Sequence, residues 1–136
     1  MKPVVIDTNI LFASLRSKSS KIREIFDNPE YRFYTPNFLV VEIFRHKERI
    51  LQKSKADDEE VYEFLNKILH KINFVSEEHI SIENLIYAHR LCDGIDEKDT
   101  PFVALTIELN GVLWSRDNVL KSGLIKKGFD TFFEES

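Results

Sequence analysis

The chain has 136 residues, 43% hydrophobic and 31% charged, with a formal net charge of −4. That composition excludes a disordered chain and suits one globular domain over residues 1–136, long enough to bury a core. Its one cysteine, Cys92, excludes a disulfide within the sequence and a cysteine-built zinc site, and no apolar run approaches the roughly 18 residues of a membrane span.

The first residues lack the basic-then-apolar layout of a signal peptide, so the cytoplasm is the default location. Net acidity argues mildly against a broad phosphate-binding surface, unless some carboxylates serve to hold cations.

Val4 to Ile6 is a β-branched run that reads as a buried strand, stopped by Asp7-Thr8-Asn9 before a helix through Ile10 to Leu15. Lys21 to Asp27 reads as a helix capped by Ser19 or Ser20. Phe33-Tyr34 is a second strand, after which Thr35-Pro36 offers a cap and a first-turn proline for a helix reaching about Lys53. Asp57 to Glu60 places acids at the start of an amphipathic helix carrying Val61, Phe64, Leu65, Ile68 and Leu69. Ile72 to Val75 reads as a third strand and Glu77 to Cys92 as one helix closed by Gly94. Thr100-Pro101 then opens an almost wholly apolar helix that ends at Asn110-Gly111. Val112 to Trp114 is a fourth strand, Val119 to Leu124 a short helix, and Gly128 to Phe133 a fifth, edge strand. Strands alternating with helices give an α/β sandwich, three layers around a mostly parallel sheet of four to five strands.

The acids raise the question of function. Asp7 and Asp117 each follow an apolar strand, and Asp99 precedes the apolar helix. Each reads by itself as a helix cap; together they lie at the carboxyl edge of one sheet, where ligands bind. Glu42 has no such plain reading. It stands within Leu39-Val40-Val41-Glu42-Ile43-Phe44 on a face shared with apolar residues, so it pairs with Arg45, His46 or a distant lysine, escapes to solvent at the rim of the sheet, or binds a metal. Asp96 either supports the other acids or is a solvated loop residue. Carboxylates gathered in one crevice need a cation, and an all-oxygen set suits Mg²⁺ or Mn²⁺, the ions of metal-assisted phosphoryl transfer. His46, four residues after Glu42 on the same helical side, either reaches a metal or a substrate phosphate or is a surface residue in Arg45-His46-Lys47-Glu48-Arg49, a run that with Lys21, Arg23, Lys98, Arg116 and Lys121 supplies either a positive rim or a solvated face.

Four segments resemble the PIN domain, including its VapC-type toxins: Val5-Ile6-Asp7-Thr8-Asn9, Val41-Glu42, Asp99-Thr100-Pro101-Phe102-Val103-Ala104-Leu105 and Trp114-Ser115-Arg116-Asp117. The resemblance implies a Mg²⁺- or Mn²⁺-dependent endoribonuclease acting on RNA, with Asp7, Glu42, Asp99 and Asp117 as catalytic metal ligands. It also implies supporting roles for Asn9 and Ser115, and Asp96 matches an acid found in part of the family. A homodimer is common in the family, and members that are toxins pair with an antitoxin protein. The alternative is a PIN fold that has lost catalysis and serves as an RNA-binding or protein-interaction module.

Overall fold

A computed structural model describes residues 2–16, 21–53 and 58–135. Its elements run β1 (Val4–Ile6), α1 (Thr8–Arg16), α2 (Lys21–Asp27), β2 (Phe33–Pro36), α3 (Phe38–Lys53), α4 (Asp58–His70), β3 (Ile72–Val75), α5 (Ile82–Cys92), α6 (Thr100–Glu108), β4 (Val112–Trp114) and α7 (Asn118–Lys126). The sheet is entirely parallel with strand order β3-β2-β1-β4, an α/β sandwich of four strands flanked by helices. No helix among the described residues is long and apolar enough to cross a membrane.

Order reverses beside β1. The chain steps outward from β1 to β2 and β3, then returns to lay β4 on the other side of β1. The carboxyl ends of β1 and β4 therefore flank the crevice that such a reversal opens in a parallel sheet. Ile6 pairs with Trp114, and the Asp7 N–H donates to the Trp114 carbonyl at 3.3 Å, so the residues following the two strands are neighbours.

The core explains why these short strands hold. Val4, Val5, Ile6, Leu113 and Trp114 are all buried, and α6 buries the unbroken run Phe102 to Thr106. Phe26 of α2 packs its ring on Phe33 and Trp114, and Phe133 packs on the same indole. Cys92 is a buried free thiol.

Four expectations change. Thr35 and Pro36 do not open a helix: both stay in β2, paired with Phe74 and Val75, because the parallel ladder with β3 reaches that far. The α3 N-terminus is capped from a distance instead, Asn37 and Phe38 donating their N–H groups to the Glu77 carboxylate at 3.1 and 2.9 Å. The single helix expected from Glu77 divides into a 3-10 turn at Glu77–His79 and α5, since Ser81 is extended and its hydroxyl caps Asn84. Gly94 closes α5 as expected, at φ +79°. The segment from Gly128 to Phe133 makes only one bridge, Leu113 to Phe132. In a three-residue parallel strand, Val112 and Trp114 bond toward β1, leaving Leu113 alone to face the free edge. α7 is longer than expected, Asn118–Lys126. Ser19, Ser20 and Asp57, read as helix-start residues, lie outside the described residues.

Gly111 marks the tightest approach between β4 and the chain entering β1. A Cβ built there would stand 2.4 Å from the Pro3 carbonyl oxygen, which is backbone and already accepts from Val112. Gly111→Ala should therefore cost about 1–3 kcal/mol and lower the melting temperature by about 3–10 °C, read by thermal denaturation.

Candidate functional site

Asp7 follows β1 and Asp117 follows β4, and both are helix caps. Asp7 Oδ1 accepts from the Ile10 N–H of α1 at 3.0 Å, and Asp117 Oδ1 accepts from the Leu120 N–H of α7 at 3.0 Å. The plain reading is thus correct for each, and it does not exclude the other one. A cap bond occupies one oxygen and fixes the direction of the carboxylate. Ser115 ties the pair together, its hydroxyl donating to Asp7 and accepting from the Asp117 N–H at 3.1 Å. Asn9 reaches Asp7 through its backbone N–H, while the residue itself is exposed at the rim.

Asp99 sits at the N-cap position of α6, yet its side chain makes no cap bond. Asp96 does cap, accepting from the Lys98 N–H at 3.0 Å in the 3-10 turn before α6, and it is exposed.

α3 is turned against its own hydropathy. Val40, Val41 and Phe44 are 41, 47 and 73% exposed, whereas Glu42 is 6% exposed. Leu39, Glu42, Ile43 and His46 share the inward side at helical spacing, so the acid is carried into the fold on the face α3 packs against α1. Glu42 Oε2 lies 3.3 Å from His46 Nε2 and 3.9 Å from an Arg45 nitrogen, but neither contact is a hydrogen bond and the buried oxygen is left without a partner. The Thr8 hydroxyl is in the same position.

These residues line one open cleft. Asp7, Thr8, Asn9, Glu42, Asp96, Asp99 and Asp117 form its wall and floor together with Phe12, His46, Arg49 and Lys98. Sequence reasoning did not single out Thr8 or Phe12, because a hydroxyl after an aspartate and an aromatic in a helix carry no signal of their own. Of the two readings of His46, surface residue or residue facing the acids, the structure has the second: its side chain is 28% exposed and lines the cleft. The wider positive rim contracts. Arg116 is clamped by Glu135, which also accepts from the Trp114 indole N–H at 3.0 Å, and Lys121 lies over the Phe132 ring. That clamp, through the Arg116 guanidinium first, holds the Glu135 carboxyl down at about 2.

The electrostatics follow from the crowding. Burial, with a smaller push from Asp117, raises Asp7 to about 6, while Ser115 and the Ile10 and Asn9 N–H groups restrain the rise. Burial and then the charges of Asp7, Asp96, Asp117 and Glu42 raise Asp99 to about 7. Among the described residues no three His, Cys, Asp or Glu side chains stand close enough to grip an ion without rearrangement. Like-charged carboxylates at close range repel. The donor set still fits a hard divalent cation: it is all oxygen, two members have pKa values raised by burial and by neighbouring carboxylates, and Glu42 Oε2 is buried with no donor.

A sequence profile described as PIN_2, PIN domain, matches residues 5–135, which includes every acid named above. A search of curated proteins finds no match.

An acid whose pKa is raised in the fold costs stability above that pKa and none below its unfolded value near 3.8. Asp99→Asn should accordingly raise the melting temperature of the metal-free protein at pH 8 by several degrees, and the gap should close as pH falls from about 7 toward 4. Melting curves across that range check it; a gap independent of pH would mean that Asp99 is not crowded.

Proposed function

The chain belongs to the PIN domain family, whose members are nucleases that act on nucleic acid and usually employ divalent metals, and from that premise we propose that it is a Mg²⁺- or Mn²⁺-dependent endoribonuclease. One observation carries the reading: Glu42, buried with an unpartnered oxygen, faces the same cleft as Asp7, Asp99 and Asp117. A protein gains nothing in stability from that arrangement unless a cation completes it.

Asp7, Glu42, Asp99 and Asp117 are the residues that would hold the ion, with Asp96 at the rim in support. Once bound, Mg²⁺ or Mn²⁺ lowers the pKa of a water and offsets charge on the phosphodiester. The rest falls to the chain's own side chains. The cap bonds of Asp7 and Asp117, and the Ser115 hydroxyl between them, hold two carboxylates in fixed directions, so little reorganisation is needed when substrate arrives. Arg49 and Lys98 stand at the cleft, where a polyanion would otherwise be repelled, and supply donors for its phosphates. Asn9 is exposed at the same opening, within reach of a bound strand.

The toxin role, a cognate antitoxin and a homodimer rest on the family resemblance. The coding neighbourhood tests the first two: a small DNA-binding protein encoded alongside this chain would support them. The rival reading, a PIN fold that binds RNA or protein without cutting, draws on the lack of a preformed three-ligand cage among the described residues. Calorimetric titration with Mn²⁺ separates the two, because a binding module would take up no metal in either the wild type or Asp7→Asn.

Purified protein should cleave single-stranded RNA when Mg²⁺ or Mn²⁺ is added and stop when EDTA is added. Asp7→Asn and Asp99→Asn should each lower the rate roughly 100-fold or more. Product formation on labelled RNA is the measurement, and cleavage surviving in Asp99→Asn would remove these acids from the chemistry.

A further inference from the structure

His46 does more than line the cleft. Its Nδ1 lies 2.9 Å from Arg49 Nη2 and its Nε2 lies 3.3 Å from Glu42 Oε2, while the ring meets Phe12 edge-on at 5.8 Å between centroids. A guanidinium nitrogen can only donate, so Nδ1 must accept, and the neutral imidazole then carries its proton on Nε2, the atom nearest Glu42. Arg49, His46 and Glu42 are thus spaced at three and four residues along one side of α3, from exposed Arg49 to buried Glu42, each within reach of the next.

Building on the metal-dependent reading above, we propose that His46 is a positioning residue: Arg49 sets its tautomer, Phe12 sets its ring plane, and its Nε2–H directs the Glu42 carboxylate toward the cation. The contact at 3.3 Å lacks hydrogen-bond geometry and leaves Glu42 Oε2 unpartnered. The imidazole therefore biases the direction of the carboxylate without occupying it. Arg45, the other cation near that oxygen, is farther at 3.9 Å and has a side chain 51% exposed, so it restrains the carboxylate less. The arrangement matches the general use of outer hydrogen-bond partners to orient metal ligands, where loss of the partner costs about 10–100-fold in metal affinity.

Mn²⁺ affinity measured by calorimetry on wild type, His46→Ala and His46→Gln tests this, with melting curves to establish that each protein is folded. Glutamine places an amide N–H near the position of Nε2–H; alanine does not. The expected result is an affinity about 10-fold weaker in His46→Ala, restored to within about 3-fold of wild type in His46→Gln. Equal affinity in wild type and His46→Ala would overturn the positioning role while leaving the nuclease reading intact. So would a His46→Gln protein that melts like wild type yet binds as weakly as His46→Ala. A wild-type protein that binds no Mn²⁺ would overturn both. His46 is partly exposed, so neither substitution empties a core position.

Discussion

The register between β1 and β4 is the constraint from which the rest of the site follows. Val112 donates to the Pro3 carbonyl and Asp7 to the Trp114 carbonyl, which fixes Ile6 opposite Trp114. A slip of one residue would reverse every side chain on β4, moving Trp114 out of the aromatic cluster it forms with Phe26, Phe33 and Phe133. Burial of that indole thus holds two carboxylates, distant in sequence, at the same edge of the sheet. Glu135 and Arg116 secure the exit of β4 from its other side, the former bonding both the indole N–H and the guanidinium.

The acids also show how one residue type meets two demands. Asp7 and Asp117 each cap a helix with one oxygen, and that bond gives their positions a structural purpose whether or not a cation is bound. Asp99 and Glu42 have no such second role. Asp99 makes no cap bond, and Glu42 carries a buried oxygen with no donor. Burial raises the pKa of the capping Asp7 and of the non-capping Asp99 alike, so a cap bond does not remove the electrostatic cost, as expected where stability is given up for a site.

α3 carries the same conflict at the level of a helix. Val40, Val41 and Phe44 face outward, while a glutamate and a histidine face in beside Leu39 and Ile43. Hydrophobic periodicity alone would rotate this helix so that those three outward side chains turned inward. Packing against α1 and the distant Glu77 cap at its first turn oppose that rotation.

The local pattern of residues determined the alternation of strands and helices, hence a parallel α/β sheet, and the order of four short motifs was enough to suggest the PIN family. Those signals are legible because buried parallel strands need uninterrupted β-branched runs and because helix caps draw on few residue types. Local pattern also made Glu42 conspicuous, since an acid on an apolar face demands a partner. It could not tell that Thr35 and Pro36 remain in β2, that Glu77 caps α3 from another segment, or that the last segment bridges β4 through the backbone of Leu113 instead of forming a strand. Nor could it bring Phe12 into the cleft or decide between the two readings of His46. Each of these depends on which segments meet across the sheet, and such contacts between distant residues exist only once the chain has closed around its core.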